Sequence, residues 1–207
     1  ERNEAVYERF QKFVSTTENK ELFSRLQNGN VTISLKNIKV SGEEGTPRSL
    51  RDLSGEILSS IQDDLWMGGS CDLFSSCKTY QEGQGDFGPR NRLGKNIWFG
   101  VREHASAAIV NGLALVGLRP YTSTFLSFAD YMKPAIRLAA MMKLPVTYIF
   151  THDSISVGED GPTHQPIEQL DMLRMIPNVE VYRPADFNEM IGTYKTILAK
   201  IEGVSII

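Results

Sequence analysis

Long apolar runs and an excess of basic residues are both missing from this sequence of 207 residues. No uninterrupted apolar run approaches the roughly 18–20 residues that a membrane-spanning helix requires. The formal net charge is −3, whereas a nucleic-acid backbone or an anionic membrane surface is bound by a surplus of Lys and Arg. We therefore expect neither a membrane nor a nucleic acid as a partner.

Internal repeats and low-complexity segments are also absent from the sequence. Hydrophobic residues make up 41% of the chain and charged residues 23%, which is ordinary for a soluble globular protein and argues against a disordered chain or a disulfide scaffold. At roughly 100–200 residues per domain, the length predicts one or two domains.

Cysteine is scarce in this chain. Its two copies, Cys71 and Cys77, have five residues between them and lack the second ligand pair of a zinc site. We therefore expect free thiols and a reducing compartment, namely the cytoplasm.

The two ends of the chain suggest that it continues on both sides. The first residue is Glu1 rather than Met, and residues 203–207 have the pattern of a buried strand whose continuation is missing. The sequence is therefore expected to be a fragment of a longer protein.

The first quarter of the chain differs in pattern from the rest. Residues 1–29 are charged and helical in period, and the polar Gly/Pro run at 42–47 predicts a linker. We expect residues 1–46 to form a helical linker or N-terminal extension, and residues 47–207 to form the compact domain.

Helical and extended patterns alternate from residue 49 onward, with one long polar segment at 74–95 that predicts a loop. Strands are predicted at 64–69, 96–101, 118–124, 145–151, 179–183 and the final residues, and helices at 50–61, 103–116, 126–143, 166–175 and 186–200. This alternation is typical of an α/β fold with a doubly wound, mostly parallel sheet flanked by helices. Ligands of such sheets bind at the carboxyl ends of the strands.

Three predicted strand ends are therefore candidate sites, at residues 100–104, 123–131 and 151–164. Glu103 follows the first of these strands and begins a helix. A carboxylate there either caps the helix, where the macrodipole favours it, or is a buried acid that exchanges a proton with a heterocycle. Its position alone leaves both interpretations open.

Phe125, Phe128 and Tyr131 recur every three residues after the second strand. On a helix they would form a slanted aromatic stripe, which is most often part of a core. Because the stripe begins at a strand end, it could instead stack a flat ligand ring. The sequence does not separate the two possibilities.

The polar segment 151–164 carries His152, His164 and acidic residues that include Glu159 and Asp160, on a loop with Gly and Pro. Such a loop is suited to holding hydroxyl groups and moving protons. A metal site is the weaker interpretation, because the histidines have neither helical His-pair spacing nor a Cys pair.

Several of these motifs together resemble the pyrimidine-binding, or middle, domain of transketolase. They are Gly-Val-Arg-Glu-His-Ala at 100–105 and the segments 124–131, 150–170 and 183–186, preceded by 51–56 and 68–73, which are similar to the family's entry to that domain. The similarity covers residues 47–207, and residues 1–46 resemble the family's interdomain linker.

The resemblance implies cofactor roles for five residues. Glu103 matches the catalytic glutamate that hydrogen-bonds the aminopyrimidine ring of thiamine diphosphate. Phe125, Phe128 and Tyr131 match the aromatic pocket around that ring. Asp72 matches an acid near the cofactor at the subunit interface.

Substrate roles follow from the same resemblance. His152, Asp160 and His164 match residues that contact the hydroxyl groups of the sugar, and both histidines match catalytic residues. Arg51 and Ser76 match part of the pocket for the substrate's phosphate. The implied activity is transfer of a two-carbon ketol unit from a ketose phosphate to an aldose phosphate, in the pentose phosphate pathway.

One pattern of this family is missing from the sequence. There is no Gly-Asp-Gly followed by a pair of asparagines, which in the family binds the metal and the diphosphate. We therefore expect no metal ligand in this chain. Mg²⁺ or Ca²⁺ and the cofactor's charged tail would be bound by an upstream domain of the partner subunit in a homodimer, and the fragment alone would be inactive.

Other interpretations stay open at this point. Dihydroxyacetone synthase shares the domain, as do deoxyxylulose-phosphate synthase and 2-oxoacid dehydrogenase components, although the Arg-Glu-His-Ala run and the two-histidine loop favour the ketose-transferring branch. A non-enzymatic alternative is a dimerisation or binding module.

Overall fold

The computed structural model describes residues 2–28, 32–33 and 47–207. The predicted linker at 42–47 lies outside the described residues except for its last position. In the described residues no helix combines the length and apolar character needed to cross a membrane.

The N-terminal segment forms two helices, α1 (Arg2–Val14) and α2 (Thr17–Asn28), although its helical period runs without interruption over 1–29. Ser15 Oγ donates to the Lys12 carbonyl at 2.8 Å. Thr16 Oγ1 donates to the Phe13 carbonyl at 3.1 Å. These hydroxyls satisfy the last carbonyls of α1 and so end the helix.

The remaining elements follow the predicted order, and most of the strands are shorter than predicted. They are α3 (Leu50–Ser60), β1 (Trp66–Ser70), α4 (Phe74–Cys77), β2 (Asn96–Trp98), α5 (Glu103–Leu115), β3 (Arg119–Phe125), α6 (Ala129–Met141), β4 (Thr147–Thr151), α7 (Gln169–Arg174), β5 (Val179–Val181), α8 (Phe187–Ala199) and β6 (Val204–Ile206). The short helix α4 lies in the segment 74–95 that was expected to be loop throughout. A 3-10 turn, Leu126–Phe128, precedes α6.

The six strands form one sheet in the order β2-β1-β3-β4-β6-β5, and every neighbouring pair is parallel. The predicted α/β fold with a parallel sheet is therefore confirmed. Because all strands are parallel, their carboxyl ends lie at one edge of the sheet.

Helices cover the sheet on both faces. In β4, Tyr148 and Phe150 join a core cluster with residues of α5, α6 and α7. Ile149, between them, joins a second cluster with residues of α3 and α8. Alternate side chains of a strand point to opposite faces, so a continuous apolar strand supplies both cores.

Two glycines in β1 allow its neighbours to approach closely. A Cβ atom on Gly69 would overlap the carbonyl oxygen of Ile97 in β2, and one on Gly68 would overlap the carbonyl oxygen of Tyr121 in β3. Only a residue without a side chain fits at either position.

Candidate active site

Strand pairing brings two of the three candidate segments together. The last residue of β3, Phe125, is paired with the last residue of β4, Thr151. The chain then continues from β3 into the 3-10 turn Leu126–Phe128. From β4 it continues into the loop that carries both histidines. The segments 123–131 and 151–164 therefore begin side by side at the carboxyl edge of the sheet.

The aromatic residues and the two histidines form one cluster. The Phe125 and Phe128 rings stack with centroids 6.0 Å apart and planes at 13°. The imidazole of His164 meets the Phe128 ring edge-on at 5.1 Å. The imidazole of His152 lies 3.8 Å from the Phe125 centroid. Tyr131 is at the margin, 6.3 Å from Phe128 and 64% exposed.

Glu103 joins the same edge from the third segment. It is the first residue of α5, and its half-buried carboxylate accepts a hydrogen bond from Thr124 Oγ1 at 3.3 Å. Thr124 directly precedes Phe125 in β3. The carboxylate is thus held against the strand that carries the aromatic cluster.

Arg51, near the start of α3, reaches this edge from the other side. Its Nη1 atom lies 3.2 Å from His152 Nε2 and 3.4 Å from the Ser76 carbonyl oxygen. The contact with Ser76 therefore involves the backbone rather than the hydroxyl group. A cavity of about 340 Å³ opens here, with Arg51, His152 and Arg183 among its polar lining residues.

The surroundings of His152 favour its neutral form. Burial lowers the pKa of the imidazole below 6.5, and the charges of Arg51 and His164 lower it further. The carboxylates of Asp160 and Asp153 act in the opposite direction. The backbone of His152 has a positive φ of 56°, an uncommon conformation that histidine adopts more readily than most residues.

Two candidate residues lie at the margins of this arrangement or away from it. Asp160 is exposed, and the negative charge of its carboxylate acts to raise the pKa of His152. Asp72 is exposed, has a positive φ of 63°, and lines a separate broad cleft of about 1040 Å³ with Tyr80 and Trp98. In the described part of the chain, no hydrogen bond or ion pair joins Asp72 to the aromatic cluster.

The sequence analysis missed two threonines and an ion pair. Thr124 contacts Glu103, and the Thr151 hydroxyl lies 2.9 Å from His152 Nδ1. The Arg183 side chain donates from Nε to Asp153 at 2.7 Å. The sequence held one signal for the threonines, because each is the last residue of a predicted strand.

Comparison with known proteins agrees with the motifs. Residues 47–207 match the family model described as transketolase, pyrimidine binding domain. The chain belongs to this family. The transketolase of Bacillus subtilis (strain 168) is 53% identical over 156 residues, which cover 74% of this chain and 23% of that protein. The Physarum polycephalum transketolase is 47% identical over 164 residues, covering 78% of this chain and 25% of that protein.

Solved transketolase structures share the fold. The structure from Campylobacter jejuni superposes with a TM-score of 0.83 at 42% identity, covering 99% of this chain and 31% of that one. The Leishmania mexicana structure gives a TM-score of 0.87 at 35% identity, covering 98% and 31%. The chain therefore spans about a quarter of the curated relatives and under a third of the solved chains. The resemblance to the transketolase family is confirmed.

Proposed function

We propose that this chain is the middle domain of a transketolase, which moves a two-carbon ketol unit from a ketose phosphate to an aldose phosphate in the pentose phosphate pathway. The observation that carries the proposal is a convergence at one sheet edge. The Glu103 carboxylate is bound at Thr124, and the His152 ring lies against the next residue, Phe125. A carboxylate, aromatic rings and imidazoles thus lie together at the carboxyl edge of the sheet.

The residues at this edge fit the aminopyrimidine half of thiamine diphosphate. The half-buried Phe128 ring, which is nearly parallel to the buried Phe125 ring, offers a flat apolar face for a heterocycle. The Glu103 carboxylate would accept an N–H group of the ring and exchange a proton with it, while Tyr131 and the two phenylalanines orient the ring and exclude water. When bound, thiamine diphosphate supplies the electron sink for breaking the carbon–carbon bond.

The polar residues beside the aromatic cluster fit a phosphorylated sugar. His152 and His164 would contact hydroxyl groups of the substrate and move protons, with Asp160 as a further hydroxyl ligand. The exposed guanidinium of Arg51 would bind the phosphate together with the segment at Ser76. Because Arg51 also contacts His152, the residue assigned to the phosphate and the histidine assigned to the hydroxyl groups would lie side by side.

The rest of the cofactor site is proposed to lie outside this chain. In the described ranges no group of three or more His, Cys, Asp or Glu side chains could hold a metal ion. We assign Mg²⁺ or Ca²⁺ and the diphosphate to an upstream domain, and we propose that residues 1–46 connect that domain to the domain at 47–207. Asp72 would approach the cofactor from the subunit boundary.

We further propose a cytoplasmic homodimer. Helices α5 and α6 pack against each other, and both carry large apolar side chains that are exposed in the single chain. These are Ile109 and Leu115 on α5 and Leu138 and Met141 on α6. Exposed apolar residues on adjacent helices favour a protein interface.

The test is an acceptor assay on the full-length protein with thiamine diphosphate, a divalent metal and a ketose phosphate donor. We expect faster turnover with ribose 5-phosphate than with formaldehyde, and no turnover by the 207-residue chain alone. Preference for formaldehyde would instead identify a dihydroxyacetone synthase. Absence of both cofactor binding and turnover in the full-length protein would identify a non-catalytic module.

A further inference from the structure

His152 is one member of an uninterrupted chain of four side chains. Its Nε2 atom lies 3.2 Å from Arg51 Nη1, and its Nδ1 atom lies 2.9 Å from Thr151 Oγ1. Thr151 Oγ1 in turn lies 3.3 Å from Cys77 Sγ. Both nitrogens of the ring therefore have a polar partner. A ring turned by 180° would put carbon atoms against Arg51 and Thr151 instead.

The chemistry of the partners fixes the positions of the protons. A guanidinium has only donors, so His152 Nε2 accepts from Arg51. A neutral imidazole carries one N–H group, and its burial beside a cation favours the neutral form. The proton is therefore on Nδ1, which donates to Thr151 Oγ1. The threonine hydroxyl then directs its own proton to Cys77 Sγ.

Cys77 suits the end of this chain because it is fully buried. Burial raises the pKa of its thiol to about 11, so the sulfur stays protonated at neutral pH and acts as a weak acceptor. Without the sulfur, the hydroxyl of Thr151 would lose this acceptor, and His152 Nδ1, its other polar contact, would become an alternative one. The sulfur thus supports the tautomer that Arg51 favours.

The ring is also held mechanically. The Phe125 ring lies against its face, with planes at 32°. The side chain of Thr151 is 8% exposed, so the hydroxyl is largely shielded from competing water. A tautomer selected by two shielded partners is more strongly favoured than one in water.

We propose that Thr151 and Cys77 are positioning residues that hold His152 as its Nδ1–H tautomer and leave Nε2 as a proton acceptor. This tautomer does not rest on the proposed function, because it is a property of the ligand-free protein.

The experiment is nitrogen NMR of the full-length protein labelled with ¹⁵N-histidine, without substrate, at a pH where His152 is neutral. The His152→Gln variant identifies the resonance. We expect an unprotonated Nε2 and a protonated Nδ1 in the wild type. In Thr151→Val, which keeps the shape but removes the hydroxyl, the tautomer ratio should fall by about fivefold or more. Thr151→Ser should restore it.

Cys77 provides the second arm. Cys77→Ala should shift the ratio in the same direction as Thr151→Val, whereas Cys77→Ser, which keeps an acceptor, should leave it close to the wild-type value. A wild-type His152 protonated on Nε2 would overturn the proposal, as would an unchanged ratio in both Thr151→Val and Cys77→Ala. Because no turnover is needed, these results are independent of the acceptor assay.

Discussion

The ring of Phe125 lies against the imidazole of His152, with centroids 3.8 Å apart. The two residues are 27 positions apart in the chain (152 − 125) and meet because the last residues of β3 and β4 are paired in the sheet. Under the proposed function, Phe125 would therefore take part in both halves of the candidate site, as an aromatic surface for the cofactor and as a support for the histidine assigned to the sugar.

This contact predicts different effects for the two residues. His152→Ala should raise the KM for the ketose donor by about tenfold, because a hydrogen bond to substrate is lost, while cofactor affinity changes little. Phe125→Leu should weaken both. Steady-state kinetics and a cofactor-binding titration measure the two effects, with Phe87→Leu as the control, because the exposed Phe87 ring packs against Arg92 instead. Equal losses of both affinities in His152→Ala would indicate a folding role.

Glu103 is expected to control proton exchange at the cofactor. Glu103→Ala should slow hydrogen–deuterium exchange at the reactive carbon of bound thiamine diphosphate by about 100-fold or more, because general acid–base assistance is lost. Thr124→Val removes only the supporting hydrogen bond and should slow exchange by less than about tenfold. Quenched-flow NMR of the exchange reads both variants. Exchange at the wild-type rate in Glu103→Ala would reject its role.

The pKa of His152 should respond to its charged neighbours in opposite directions. Arg51→Met removes a nearby cation and a hydrogen bond to Nε2, so the pKa should rise. Asp160→Asn removes an anion, so the pKa should fall further below 6.5. Arg174→Met, an exposed change on α7, is the control. NMR titration of the His152 ring protons measures all three, and a fall in the Arg51 variant would contradict the arrangement.

The lowered pKa of His152 also determines how this residue makes stability depend on pH. Because the folded-state pKa of His152 is lowered, the unfolded chain binds more protons between that value and 6.5. The contribution of His152 to stability is therefore fully present above pH 6.5 and is lost as the pH falls through the folded-state pKa. Thermal unfolding as a function of pH should show a smaller acid loss in His152→Gln than in the wild type.

The sequence was sufficient to predict the fold class and three of the segments that meet at the candidate site. Hydrophobic periodicity and the alternation of strands and helices are local signals that can be read from the sequence. Because ligands of parallel sheets bind at the carboxyl ends of the strands, the strand ends are then the candidate sites. The hydrogen bond between Arg51 and His152 joins residues 101 positions apart. No local pattern encodes such a contact, and the roles of Thr151 and Cys77 depend on it.

Local competition explains the other differences. The break between α1 and α2 results from side-chain hydrogen bonds of Ser15 and Thr16 that a hydrophobic period does not register. The helix α4 was missed because four residues are too few to establish a period.

The close approach of β1 and β2 at Gly69 gives a prediction about stability. In β1, Gly69 has no room for a Cβ atom beside the Ile97 carbonyl oxygen, a backbone atom that cannot turn away. Gly69→Ala should therefore separate β1 from β2 and destabilise the protein by about 2–3 kcal/mol.

Gly192→Ala is the matched control, because a Cβ atom at this helical position in α8 meets nothing within 4 Å. The same glycine-to-alanine change should stabilise the protein there by about 0.5–1 kcal/mol through helix propensity. Thermal unfolding of the full-length protein ranks the stabilities of the wild type, Gly69→Ala and Gly192→Ala. Amide hydrogen exchange at residues 66–70 shows whether the loss of stability is located in β1. If Gly69→Ala unfolded at or above the wild-type temperature, the two strands would have to be farther apart than their pairing indicates.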